Sequence, residues 1–357
     1  MQNRFRGNYI FLFIFVSALT VFSQSGRIKP PETPVPRPRV IYLPTAESSS
    51  PISKPTPTPT PISKVEDEDD VIRVDSSLVP IPVSVTDQAG KAITTLKLED
   101  FELTIAGAAA EISDISRSET PVRLALLFDN SSSVTIAREF EKKAAIRFFK
   151  RVIRPEKDLA ALYSVSTGSR LEQPLTKNVS QLNQAIENFP EPQGATALLD
   201  AIIKAADYLK EVEGRRVIVI VSDGDDTISD STFERTVEAV QLANCQVYVV
   251  KTTDFENFKR TGARGGNANI RALSAERRMQ ELALQTGGAV YSPIDERELD
   301  QAFSQISAEL SQQYILNYYP QESVKPNEFR TISLKIKRRE NLTVRTRKGY
   351  FISNGKR

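Results

Sequence analysis

The side chains in this chain that could do chemistry sit on three separate stretches. Asp129, Ser131 and Ser133 form a D-x-S-x-S set directly after the apolar run Leu-Ala-Leu-Leu-Phe at 124–128. One carboxylate and two hydroxyls, spaced two apart on a turning loop, can converge on a small, hard, oxygen-loving cation. Downstream, Thr196 follows Gly194 and Ala195, and Asp223 follows the run Val-Ile-Val-Ile-Val-Ser at 217–222. Together the pieces describe a metal site assembled from three loops. The plainer alternative is a set of ordinary turn and cap residues, since Ser and Asp are common in loops.

Such a site needs elements that bring the loops together. A short, continuous apolar run is a strand buried on both faces. Asp129 and Asp223 therefore sit at the carboxyl ends of strands, where open α/β sheets place their ligands. Phe140, Ala144, Phe148 and Val152 recur four apart, with Ala145 and Phe149 widening the stripe, so a helix follows the first strand. Residues 159–165 form the next strand. Leu198, Leu199, Ile202, Ile203, Ala206 and Leu209 mark a helix directly after Thr196. Residues 233–243 read as a helix and 247–250 as a strand. A helix near 277–285 ends at Gly287-Gly288, which suits a left-handed carboxyl cap. Residues 289–291 and a helix over 298–312 complete a doubly wound, Rossmann-like α/β unit with a mainly parallel sheet.

The order D-x-S-x-S, then Thr after Gly, then a strand-terminal Asp-Gly resembles the von Willebrand factor A domain with its metal-ion-dependent adhesion site. The resemblance covers about residues 121–312. It implies that Ser131, Ser133 and Thr196 offer hydroxyl oxygens to the metal. It also implies that Asp129 and Asp223 bind the metal directly or through water. A set rich in neutral oxygens leaves the cation with residual positive charge and water-filled positions. Mg²⁺ keeps several waters in near-octahedral oxygen ligation, so it is the expected occupant, with Mn²⁺ a close substitute. A Glu or Asp of a partner protein would then replace a water, giving metal-bridged adhesion. Ala195 departs from the family pattern, which commonly has a second Gly there. Asp225 and Asp226 either reach the metal or, by the plainer reading, cap the next turn or lie solvated. Asp200 is expected to stabilise its helix start through the macrodipole and not to be a ligand.

The flanks are different. Arg4 and Arg6, an apolar segment over 9–22 and the small-residue exit Val21-Phe22-Ser23 form an export signal, with cleavage expected after Ser23 (residues 1–23). The segment is short for a membrane span, which needs about 20 residues, so membrane anchoring would come only from an uncleaved amino terminus. The destination is the periplasm, the cell envelope or the medium. Residues 24–70 are a disordered proline-rich linker ending in Glu66-Asp67-Glu68-Asp69-Asp70, an acidic run better explained as a solvated linker end than as a calcium site. Residues 71–120 alternate with period two as a β unit of about four strands, and Pro80 and Pro82 on one face argue for an edge strand. Residues 313–357 return to β character. Short β segments cannot each bury a core alone, so both flanks are expected to pair into one small β domain with the α/β unit inserted. This order of parts, with the tail Lys348-Gly349-Tyr350-Phe351, is similar to a bacterial group of exported A-domain-related proteins.

Composition narrows the function. The formal net charge of +2 points to neither nucleic acid nor an acidic substrate. Residues 335–348 are basic, but their charges alternate with apolar positions, as on a strand with one solvated face. With no His, the chain has no Ser-His-Asp or Cys-His catalysis and no histidine-ligated zinc. Cys245 precedes an apolar run and is expected to be a buried structural thiol. The segment 255–272, with Arg260, Arg264, Gly265, Gly266 and Arg271, reads as a long loop, either a basic contact surface or an insertion without structure. Sequons at Asn130, Asn178 and Asn341 arise easily by chance. The expected function is a non-enzymatic, metal-dependent binding module. The alternatives are a scaffold with a silent metal site and, less favoured, a metal-assisted hydrolase, which would need a positioned base.

Overall fold

A computed structural model describes residues 78–88, 90–117, 120–132, 138–264, 270–320, 328–337 and 341–352. Ser133, the expected export signal, the proline-rich linker and the acidic run lie outside these residues. The described residues begin with β1 (Val79–Thr86), β2 (Phe101–Ile105), β3 (Ala108–Ala110) and β4 (Asp114–Arg117). The α/β part follows as β5 (Val122–Asp129), α1 (Arg138–Val152), β6 (Leu159–Val165), β7 (Ser169–Thr176), α2 (Val179–Glu187) and α3 (Leu198–Lys210). It continues with β8 (Arg215–Ser222), α4 (Phe233–Leu242), β9 (Cys245–Lys251), α5 (Thr253–Thr261), α6 (Ile270–Thr286), β10 (Val290–Tyr291) and α7 (Glu296–Gln312). The last strands are β11 (Tyr314–Tyr318), β12 (Phe329–Ile336), β13 (Thr343–Arg345) and β14 (Gly349–Phe351).

The fold is α/β. Its six-stranded central sheet runs β10-β9-β8-β5-β6-β7, parallel except for β7, which pairs antiparallel with β6. Strand periodicity divides the core in two. Leu124, Leu126 and Phe128 point to a layer with Phe148 and Phe149 of α1, Leu182 of α2 and Phe303 and Ile306 of α7. Ala125 and Leu127 point the other way, to Leu198 and Ile202 of α3, Val240 of α4 and Met279 and Leu282 of α6. With helices on both faces, β5 from Leu124 to Phe128 and β8 from Val217 to Val221 are continuously apolar, as the middle of a doubly covered parallel strand should be. Cys245 is buried at the start of β9, and burial pushes its thiol up to about 12.

The flanking strands form two sheets, ordered β13-β1-β11-β4 and β14-β12-β2-β3. Neither sheet comes from one flank. β1 pairs with β11 and β13, and β2 with β12, all antiparallel. Their shared core contains Ile81, Val83, Leu103, Ile105, Tyr314, Leu316, Ile332 and Tyr350. Phe101 meets Tyr314 edge to face at 5.5 Å, one ring from each flank. The edge position expected for β1 is corrected: it lies between β13 and β11. Its partners divide its length, however. The half carrying Pro80 and Pro82 pairs with β11, and β13 pairs only with Ser84, Val85 and Thr86. Each proline therefore lacks a strand on one side, where a missing N–H costs no ladder bond.

A polar junction joins these strands to the α/β part. Gln313, buried after α7, donates from Nε2 to Ser84 Oγ at 2.8 Å and Tyr248 Oη at 3.1 Å, and accepts from Arg215. Glu309 accepts from Tyr291 Oη at 2.7 Å, from Tyr248 Oη at 3.2 Å and from Arg345 of β13. Gly287 closes α6 with φ of +79°, and a Cβ there would lie 2.5 Å from the Arg347 nitrogen. The left-handed cap expected from Gly287 is thus also a close approach to the connection before β14.

Two differences from the sequence reading concern the α/β part. The presumed loop 255–272 is largely helical, as α5 and α6, with only 265–269 outside the described residues. Phe255 is fully buried against the α1 layer, and Gly262, with φ of +72°, ends α5. β7, which has no clear apolar alternation, and the short helix α2, which buries only Leu182 and Ile186, were not anticipated.

Candidate metal centre

β5 delivers Asp129 to the sheet's carboxyl end, and the next backbone N–H, of Asn130, bonds Val165 O of β6 at 2.7 Å. The Asp129 carboxylate is 1% exposed. Its Oδ1 accepts the Ser131 N–H at 2.9 Å, and its Oδ2 accepts the Ser222 hydroxyl at 2.6 Å. Ser222 ends β8, so this bond fixes the first loop to the strand that carries Asp223. Ser222 Oγ also accepts the N–H of Gly224, whose φ of +79° turns the chain away. Asp223 Oδ1 then accepts the Asp225 N–H at 2.9 Å.

The Thr196 loop is stitched to both neighbours. Ser132 N donates to Gly194 O at 3.2 Å, and Gln193 N to Asn130 O at 3.0 Å. Thr227, beyond Asp223, exchanges bonds with Thr196: Thr196 N to Thr227 Oγ1 at 2.9 Å, and Thr227 N to Thr196 O at 2.9 Å. These bonds use the Thr196 backbone, and no partner among the described residues takes its hydroxyl. Gly194 has φ of +77°, and a Cβ there would lie 2.6 Å from Thr167 Cγ2. The tight turn thus falls on Gly194, and the small residue Ala195 is accommodated beside it. The structure brings the loops of Asp129, Ser131, Thr196 and Asp223 together, while Ser133 lies outside the described residues.

The neighbouring acids have definite posts. Asp226 Oδ1 accepts the N–H groups of Leu198 at 2.8 Å and Leu199 at 3.1 Å. It therefore caps α3, the helix before it in sequence, not a turn after it. Asp200 accepts the N–H groups of Asp230 at 3.0 Å and Ser231 at 3.1 Å, tying down the loop after Asp226. Asp225 pairs with Arg271 at 3.1 Å.

Electrostatically the centre is short of positive charge. Burial, then the charge of Asp223, pushes Asp129 up to about 6, against the bonds from Ser222 and Ser131. Two acids that the sequence did not single out share this field. Glu141 of α1 is 1% exposed; burial, then Glu256, Asp129 and Asp223, hold it well above the carboxylate range. Glu256 of α5 is pushed up to about 8 by burial, with Asp223 and Asp129 adding to the effect. In sequence Glu141 looks like an ordinary helix-surface charge, and Glu256 falls in the stretch read as a loop. Among the described residues, no three His, Cys, Asp or Glu side chains group closely enough to hold a metal by themselves. A cation here would need hydroxyl ligands as well as carboxylates. Ser131, Thr196, Asp129 and Asp223 offer such a mixed, hard-oxygen set, and the excess of negative charge fits a cation.

Comparison with known proteins gives one family match and several similar chains. Residues 124–225 match the family model of the von Willebrand factor type A domain. The collagen alpha-1(VI) chain of Gallus gallus is 26% identical over 166 residues, which is 43% of this chain and 15% of that one. The chain thus spans about a seventh of that relative's length. Among solved structures, the PilB minor pilin from Streptococcus sanguinis aligns with a TM-score of 0.42 at 13% identity, over 55% of this chain and 62% of its own. BatB from Bacteroides thetaiotaomicron aligns with a TM-score of 0.41 at 17% identity, over 53% of this chain and 98% of its own. Residues 124–225, within the central α/β part, thus carry the match to the von Willebrand factor type A domain.

Proposed function

We propose that this protein is an exported binding module whose A domain grips a protein partner through a divalent cation, Mg²⁺ by preference and Mn²⁺ as substitute. Ser131, Ser133 and Thr196 supply hydroxyl oxygens, and Asp129 and Asp223 bind directly or through water. When bound, the cation supplies a Lewis-acidic position that an Asp or Glu of the partner can occupy. The observation that carries this reading is Asp129, a buried carboxylate pushed up to about 6 beside a second carboxylate, with loop hydroxyls next to it and no basic side chain among the causes of its shift. A metal-silent turn would have little reason to concentrate negative charge there. Type A domains commonly serve protein–protein contact, which favours binding over hydrolysis. The amino-terminal export signal supports the periplasm, the cell envelope or the medium as the place of action, with anchoring only if that segment stays uncleaved.

The test is thermal unfolding of the chain with increasing Mg²⁺, beside Ser131→Ala. A ligand at about 100 times its dissociation constant adds roughly 2.7 kcal/mol. At roughly 2–4 °C per kcal/mol, the melting temperature should rise by about 5–10 °C. Ser131→Ala should remove that rise. No rise in the parent at millimolar Mg²⁺ or Mn²⁺ would overturn the reading and leave the β strands as the contact surface to pursue.

A further inference from the structure

Resting on that reading, we propose that Glu141 and Glu256 belong to the cation centre, accepting hydrogen bonds from the waters the bound cation retains and thereby setting its affinity. They extend the three-loop motif by two helices and are not direct ligands.

The placement comes from packing. α1 follows the Asp129 loop, and α5 follows β9, the neighbour of β8. Phe140 and Phe255 meet edge to face with centroids 6.2 Å apart where α1 meets α5, and Glu256 is the first of the charges acting on Glu141. A hydrogen-bonded path leads from Glu256 to the centre. Thr252 Oγ1 donates to Glu256 Oε1 at 2.6 Å, Thr252 N donates to Ser222 O at 3.0 Å, and Ser222 Oγ donates to Asp129 Oδ2 at 2.6 Å.

Glu141 supplies the independent observation. Its Oε1 is fully buried and has no hydrogen-bond partner among the described residues. Native interiors seldom leave a buried acceptor unmatched unless a water or ion completes it. The charges acting on Glu141 come from Glu256, Asp129 and Asp223, all acidic. Lys259, the amine at this contact, lies 3.6 Å above the Phe140 ring and pairs with Glu296. A partner that both donates hydrogen bonds and carries positive charge would answer the open oxygen and the acidic surroundings together, and a hydrated divalent cation does both. Mg²⁺ gives up water reluctantly, so acceptors around its retained waters are the usual way a protein tunes it.

The test is calorimetric titration of MgCl₂ and MnCl₂ into the whole chain and into Glu141→Gln and Glu256→Gln, together with melting in EDTA. Gln keeps the shape and removes the charge. Each variant should bind either metal about 10–100-fold more weakly. In EDTA each should melt no lower than the parent, since a carboxylate among carboxylates has been removed. Metal affinity in both variants within twofold of the parent overturns the inference while leaving the proposed function standing. A parent that binds neither metal at millimolar concentration overturns both. Glu256 is only partly buried, so Glu256→Gln decides the matter alone if Glu141→Gln does not fold.

Discussion

The molecule buries glutamate in two settings, and their difference separates structure from function. Glu309, where α7 meets the flanking strands, is surrounded by donors: the hydroxyls of Tyr248 and Tyr291 and the guanidinium of Arg345. Glu141, at the carboxyl end of the central sheet, has an unpartnered oxygen and acidic neighbours. Glu309 is nearly enclosed, with its side chain 10% exposed, and Glu141 is fully buried; each rides on a helix. One closes a seam between two parts of the chain. The other leaves a buried acceptor open among acidic neighbours. A buried acid is informative only together with the sign of what faces it.

The largest effect should come from breaking the closed setting. Glu309→Ala leaves the Arg345 cation and two tyrosine hydroxyls without their acceptor, and should cost about 3–5 kcal/mol in urea unfolding. A loss below about 1 kcal/mol would mean that the junction is not what joins the parts. The open setting should answer to pH. With a folded value of about 6 against an ordinary 3.8, Asp129 holds its proton more tightly folded than unfolded. Its contribution to stability is present below about pH 4 and lost as pH rises through about 6, roughly 3 kcal/mol in metal-free protein. Asp129→Asn should abolish that fall, measured by urea unfolding in EDTA. Since protons and cation compete for the same oxygens, Mg²⁺ affinity should drop as pH falls through about 6. The smallest effect belongs to the exposed pair Asp225–Arg271 near the centre. Arg271→Ala should change stability by less than about 1 kcal/mol and vanish in high salt. A larger loss would blur the contrast between the two ends.

Much of this was legible in the residues. The run at 124–128 and the stripe from Phe140 to Val152 specify a buried strand and its covering helix, because burial on both faces and a 3.6 period leave direct marks. The paired flanks were also foreseeable, since β1 and β2 show period-two faces too small to bury alone. β7 was hidden because it lies at the sheet edge, half exposed and carrying Pro174. α5 was hidden because Lys259, Arg260 and Gly262 resemble loop composition, while its one fully buried anchor, Phe255, shows no periodicity by itself. In the centre, Asp129, Ser131, Thr196 and Asp223 announce themselves by spacing. Glu141, Glu256 and the cap from Asp226 do not. Their partners come from other elements, and no local pattern encodes a contact made across the fold.

The pairing of β1 with β11 and β13 also sets an order of events as the chain is made. Ser84 meets Glu309 225 residues later and Gln313 229 residues later. Until residues 314–351 emerge, β1 and β2 have backbone groups without neighbours, while the α/β part that follows them can already assemble from nearer contacts. Those waiting edges invite pairing with other chains. Pro80 and Pro82 lie on the first strand to appear, where each removes a donor that a stray strand would need.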